Sequence, residues 1–134
     1  RSGGGVMIEL LTQPNGPSVQ KVEVHILALP SGLCPVSKNP QPQSTIKIVY
    51  RPESFVLEIG RLYAYLEQYK GGLRDKAGNI VVRSMEGMID RVALDCAQAL
   101  GVPVRVYADL VLAPRETMRL KARAYPVEVQ GCKR

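Results

Sequence analysis

The chain has 134 residues, with 18 Lys or Arg against 12 Asp or Glu, one His, three Cys and a formal net charge of +6. That length suits one domain with one core, and 46% hydrophobic with 22% charged residues excludes global disorder. No run approaches ~18 apolar residues, so no membrane span is expected.

Arg1–Gly5 carries no apolar core or secretory pattern, and residues 1–16 are assigned to a flexible tail, 17–127 to one domain and 128–134 to a second tail. Val19–Leu29 alternates, with Val22, Val24, Ile26 and Ala28 on one side and Lys21, Glu23, His25 and Leu27 on the other, which predicts a half-buried strand. Pro30–Ser44 holds Pro35, Pro40 and Pro42; proline fixes φ and lacks an amide donor, so this stretch is a stiff loop. Thr45–Arg51 alternates again and predicts a second strand, stopped by Pro52.

From Ile59 the period changes. Ile59, Leu62, Tyr63, Leu66 and Tyr69 recur at three and four, a short amphipathic helix closed by Gly71-Gly72. Leu73–Val82 reads as a small hairpin around Asp75, Gly78 and Asn79. Ser84 is a candidate cap for a second helix whose stripe is Met85, Met88, Ile89, Val92, Cys96 and Leu100, ended by Gly101 and Pro103. Val104–Leu112 and Thr117–Tyr125 alternate on either side of Ala113-Pro114-Arg115-Glu116 and predict a closing hairpin.

The order is strand, strand, helix, helix, strand, strand: an α+β fold with two helices on one face of a four-stranded antiparallel sheet. The other face collects Lys21, Lys47, Arg51, Arg105, Arg119, Lys121 and Arg123, open to reading as a solvated face, an oligomer lining or an RNA surface through Lys47, Arg51, Arg119, Lys121 and Arg123. Free sheet edges predict self-association into a ring or barrel.

Three cysteines with no Cys-x-x-Cys spacing, and one histidine, write neither a disulfide framework nor a metal site. The compartment expected from them is reducing and cytoplasmic. Cys34 lies in Gly32-Leu33-Cys34-Pro35, on the stiff loop, where it is either a nucleophile or a small hydrophobe tucked under the loop. Cys96 is on the apolar stripe of the second helix, and Cys132 is in the tail. Glu86 opens the second helix and Glu58 precedes the first; each is either a stabiliser of a helix end or a ligand-binding carboxylate. His25 could pair with Cys34 only through a contact that spacing does not supply.

With Leu33-Cys34-Pro35-Val36-Ser37-Lys38, Thr45-Ile46, Glu58 and Glu86 in this order, residues 20–125 resemble the tunnelling-fold (T-fold) superfamily. Within it they resemble the 7-cyano-7-deazaguanine (preQ0) reductase family. The resemblance implies that Cys34 attacks the preQ0 nitrile to form a covalent thioimide. It also implies that Glu86, with Glu58, binds the deazaguanine, and that sites form between subunits. Three positions depart from the family: its acid after Cys-Pro is Gln41-Pro42-Gln43 here, its Ser-Lys-Ser-rich NADPH signature is Glu58-Ile59-Gly60-Arg61-Leu62, and its His before the second Glu is Met85.

Loss of the NADPH signature with retention of Cys34 and Glu86 resembles the archaeal reductase-like amidinotransferases, which add ammonia to preQ0 in transfer RNA to give archaeosine. The expected function is that one, on preQ0 or preQ0-containing tRNA, with no cofactor. The alternatives are an NADPH-dependent preQ0 reductase using Arg61 for a cofactor phosphate, and a non-catalytic T-fold subunit that binds a purine, a pterin or RNA.

Overall fold

In the computed structural model, which describes residues 11–30 and 32–127, the alternating runs pair as strands and the runs of period three and four coil as helices. The elements in chain order are β1 (Thr12–Pro14), β2 (Val22–Ile26), β3 (Thr45–Tyr50), β4 (Phe55–Leu57), α1 (Ile59–Glu67), β5 (Leu73–Arg74), β6 (Ile80–Val82), α2 (Met85–Leu100), β7 (Val104–Leu112) and β8 (Glu116–Ala124). The principal sheet has the order β2-β3-β7-β8, antiparallel throughout, with both helices inserted between its second and third strands. The expected α+β architecture is therefore present, with two further ladders, β1–β4 and β5–β6.

Because side chains alternate along a strand, one sheet face carries Val24, Ile26, Ile46, Ile48, Tyr50, Val104, Val106, Ala108 and Leu110, all buried. On β8 the same face presents Met118, Leu120 and Ala122, partly buried against that core. Helix α2 packs on β7 and β8 through a stripe that includes Met88, Ile89, Val92, Cys96 and Leu100, and Leu62 and Leu66 of α1 join the same cluster. Full burial of each such aliphatic side chain stabilises the fold by ~1.5–3 kcal/mol before entropy is counted.

The helix ends follow their sequence signals. Ser84 Oγ accepts from the Gly87 amide at 2.9 Å and starts α2. Gly101 ends it in the left-handed region at φ 72°, its N–H bonded to the Ala97 carbonyl. At α1 the Glu58 side chain takes the capping position.

Three expectations change. The flexible tail expected over residues 1–16 does not extend to residue 11: Leu11 is fully buried, β1 pairs with β4, and the Glu58 amide donates to the Leu11 carbonyl at 2.7 Å. A three-residue ladder is too short to show a period. The strand expected over Val19–Leu29 is confined to Val22–Ile26, because its partner β3 offers pairing only from Tyr50 back to Ile46. On α1 the buried face is Leu62, Tyr65, Leu66 and, just beyond the helix, Tyr69, while Ile59 and Tyr63 are exposed. Cys132 and the tail assigned to 128–134 lie outside the described residues. Among the described residues no helix is long and apolar enough to cross a membrane.

Candidate functional site

Cys34 occupies the first position of one turn of helical geometry. The Lys38 amide donates to the Cys34 carbonyl at 2.7 Å, and Lys38, at φ 61°, turns the chain out of it. The amides at the start of such a turn have no partner within it, and they point back towards the first side chain. The Ser37 amide donates to Cys34 Sγ at 3.5 Å. Hydrogen bonding from Ser37, through its side chain and its amide, leads a set of contacts that lower the half-buried thiol to about 7, with the Val36 and Lys38 amides contributing. These contacts favour the thiolate over the thiol.

The loop is pinned on both sides. The Gly71 amide, just beyond α1, donates to the Gly32 carbonyl at 2.9 Å, and the Leu33 and Cys34 amides both donate to the Asn39 carbonyl. Asn39 Oδ1 accepts from the Ala113 amide at 2.8 Å, which ties the loop to the β7–β8 turn. Gln41 Nε2 donates to the Ser37 carbonyl and to Asn39 Oδ1, each at 3.0 Å. Gly32 is required by close approach: a Cβ there would stand 2.4 Å from the Lys38 carbonyl oxygen. Gln41 is thus a brace of the loop.

The other candidates take separate places. Glu58 caps α1, its Oε1 accepting from the Arg61 amide at 2.9 Å. Arg61 Nη1 donates to the Thr12 carbonyl at 3.2 Å, and its Nε lies 3.9 Å from Glu58 Oε1, so its guanidinium is engaged locally. Glu86 is exposed in the first turn of α2. His25 lies on the outer sheet face, Nε2 3.4 Å from Glu23 Oε1. No hydrogen bond or ion pair within this one chain joins Cys34 to Glu58, Glu86 or His25 among the described residues. Nor is there among them a group of three or more His, Cys, Asp or Glu able to hold a metal ion.

Lys47, Arg51, Arg119, Lys121 and Arg123 do share the outer face of the sheet, but their charges are not equally open. Lys47 Nζ is 4.8 Å and Lys121 Nζ 5.7 Å from the centre of the Tyr107 ring that lies between them, which offers each a cation–π contact. Arg119 Nε donates to Asp109 Oδ1 at 2.8 Å. Arg51 and Arg123 border a different hollow, with Arg105 and Lys21.

Ser37 was not singled out by sequence reasoning as a functional residue. The signal was its spacing, three residues after Cys34, the separation at which a capping side chain meets an amide at the start of a helix. Compared with protein-family models and with curated proteins, the chain matches none.

Proposed function

We propose that this chain is a T-fold enzyme of 7-deazaguanine modification in which Cys34 attacks the nitrile of preQ0. The single observation that carries the proposal is the placing of Cys34, partly exposed, its sulfur accepting from the Ser37 amide, on a loop pinned to α1's end and to the β7–β8 turn; these contacts lower the thiol. A thiol favoured as thiolate and held in a fixed position suits addition to an electrophilic carbon. The strand and helix order, and the family motifs around Cys34, Glu58 and Glu86, supply the identity of the electrophile by resemblance.

In the proposed reaction the Cys34 sulfur bonds to the nitrile carbon, the triple bond becomes a C=N double bond, and its nitrogen takes up a proton. Ammonia then adds to that carbon and the sulfur leaves, recovering its proton, so the net change is addition of one ammonia to give an amidine. Glu86, with Glu58, accepts from the ring N–H and exocyclic amine of the base, the donor pattern a carboxylate matches. Glu86 is contributed by a neighbouring subunit. The free edges of β2 and β8 pair between copies and close a ring, with the helices outside and the basic face lining the lumen.

The test is intact mass after incubation with preQ0, and with preQ0-containing tRNA digested to nucleosides. An adduct equal to one preQ0 that Cys34→Ala abolishes supports thioimide chemistry. No adduct with either form turns the chain into a binding subunit, a reading favoured by the engagement of Gln41 in bracing the loop. NADPH oxidation dependent on preQ0 would instead assign the reductase reaction.

A further inference from the structure

The outer sheet face has two hollows, and they differ in how their charges are balanced. The first, of about 490 Å³, includes His25, Lys47, Tyr107, Asp109, Arg119 and Lys121. Each of its cations has a partner within the fold: Tyr107 for the two lysines, Asp109 for Arg119. The second, of about 360 Å³, is bordered by Lys21, Arg51, Arg105, Arg123, Val49 and Tyr125, and its lining contains no carboxylate.

Among the described residues Lys21 alone of its four cations has an ion pair, with Glu23 at 3.3 Å. Arg123 Nη1 meets the neutral Tyr125 hydroxyl at 3.5 Å, and the side chains of Arg51 and Arg105 have no hydrogen-bonded or ion-paired partner among the described residues. Arg105 and Arg123 are directly opposite one another on β7 and β8. Like charges directly opposite across strands destabilise a sheet. The fold therefore bears a local cost at this place that it relieves elsewhere on the same face.

We propose that this hollow is a binding site for a small molecule carrying two or more linked phosphate groups. Phosphate oxygens would accept from the guanidinium groups of Arg51, Arg105 and Arg123, whose planar arrays of donors suit them, and would neutralise the repulsion between the opposed pair. A small ligand is favoured over a polynucleotide because the uncompensated cations do not continue as a track. Along the sheet the next row is Lys47, Tyr107 and Lys121, already internally engaged, and beyond it Arg119 is held by Asp109. The volume of the hollow lies at the small end of ligand pockets, ~300–1,000 Å³. The site stands apart from Cys34 and does not depend on the nitrile chemistry.

The test is titration calorimetry with inorganic pyrophosphate, then ATP, paired with thermal melting of the ligand-free protein, for wild type, Arg105→Gln, Arg123→Gln and Arg119→Gln. Pyrophosphate is expected to bind wild type and Arg119→Gln alike, and to weaken at least tenfold in Arg105→Gln and Arg123→Gln. Those same two variants are expected to melt higher than wild type without ligand, since each removes one of two opposed charges. A merely structural role for either arginine moves the melting point the other way. The proposal is overturned by absence of pyrophosphate and ATP binding to wild type, by undiminished binding to Arg105→Gln, or by a lower ligand-free melting point in both variants. It is overturned equally if a single-stranded RNA, and neither phosphate probe, binds in a manner sensitive to Arg105→Gln.

Discussion

Cys34 and Cys96 are the same side chain in opposite surroundings. Cys96 is fully buried on α2, and burial pushes its thiol up to about 12. Cys34 is lowered to about 7, chiefly through Ser37. A lowered thiol is charged above its titration point and loses its nucleophilic form as pH falls through it. The rate of Cys34 alkylation by iodoacetamide should therefore rise from pH 6 to pH 8 with a midpoint near 7. Ser37→Ala should move that midpoint upward, and Cys96 should stay unlabelled until the protein unfolds. An unchanged midpoint in Ser37→Ala would remove Ser37 from the account. Glu58 poses a different question at the same scale, since its oxygen already accepts from the Arg61 amide. Glu58→Gln retains an acceptor there and should keep its stability in urea unfolding, whereas Glu58→Ala should lose ~0.5–2 kcal/mol. If Glu58→Gln also forms the Cys34 adduct normally, Glu58 is a cap and nothing more.

Between elements, the junction of α1 and α2 depends on a buried polar cluster. Tyr65 Oη donates to Asp95 Oδ2 at 2.5 Å and lies 2.8 Å from Tyr69 Oη, while Arg91 Nε approaches the same carboxylate oxygen at 3.5 Å. The two rings meet edge to face with centroids 5.5 Å apart. Burial, before any neighbouring charge, pushes both phenols up, so Tyr65 remains a donor at any ordinary pH. Tyr65→Phe leaves Asp95 without that donor and should cost ~1–3 kcal/mol in urea unfolding, while exposed Tyr63→Phe should change little. Equal effects from the two would mean the cluster contributes no more than packing. The Cys34 loop is set by a similar constraint, since a Cβ on Gly32 meets the Lys38 carbonyl at 2.4 Å. Gly32→Ala should displace the turn, lower stability, and raise the midpoint of Cys34 alkylation together.

For the whole molecule, the principal sheet ends in β2 and β8, each with no neighbour on one side among the described residues. Exposed strand edges carry unpaired backbone donors and acceptors and favour pairing with another copy. Sedimentation should accordingly give a mass that is a multiple of 14.7 kDa. A monomer throughout the micromolar range would count against edge pairing, and with it against a site completed by Glu86 of a neighbouring subunit. Because no hydrogen bond or ion pair joins Cys34 to Glu58 or Glu86 within one chain among the described residues, this is the measurement on which assembly of the site depends.

Periodicity determined the two helices and the four strands of the principal sheet, and local turn and cap residues determined the small hairpin and the ends at Ser84 and Gly101. Those features depend on residues near one another in the chain, and their apolar spacing survives in any context. It also placed Cys34 on a stiff loop and the basic residues on one face, because prolines and alternation are local. Tertiary structure alone decided the rest. Ile59 and Tyr63 fit the helical spacing yet are exposed, whereas Tyr65, off that stripe, is buried and donates to Asp95 on the other helix. Leu11 is buried beside a ladder of Thr12–Pro14 with Phe55–Leu57, residues too distant and too few to show a pattern. The seven cations of the outer face are alike in sequence. Their difference comes from cross-strand neighbours, which give Arg119 an aspartate and set Arg105 against Arg123.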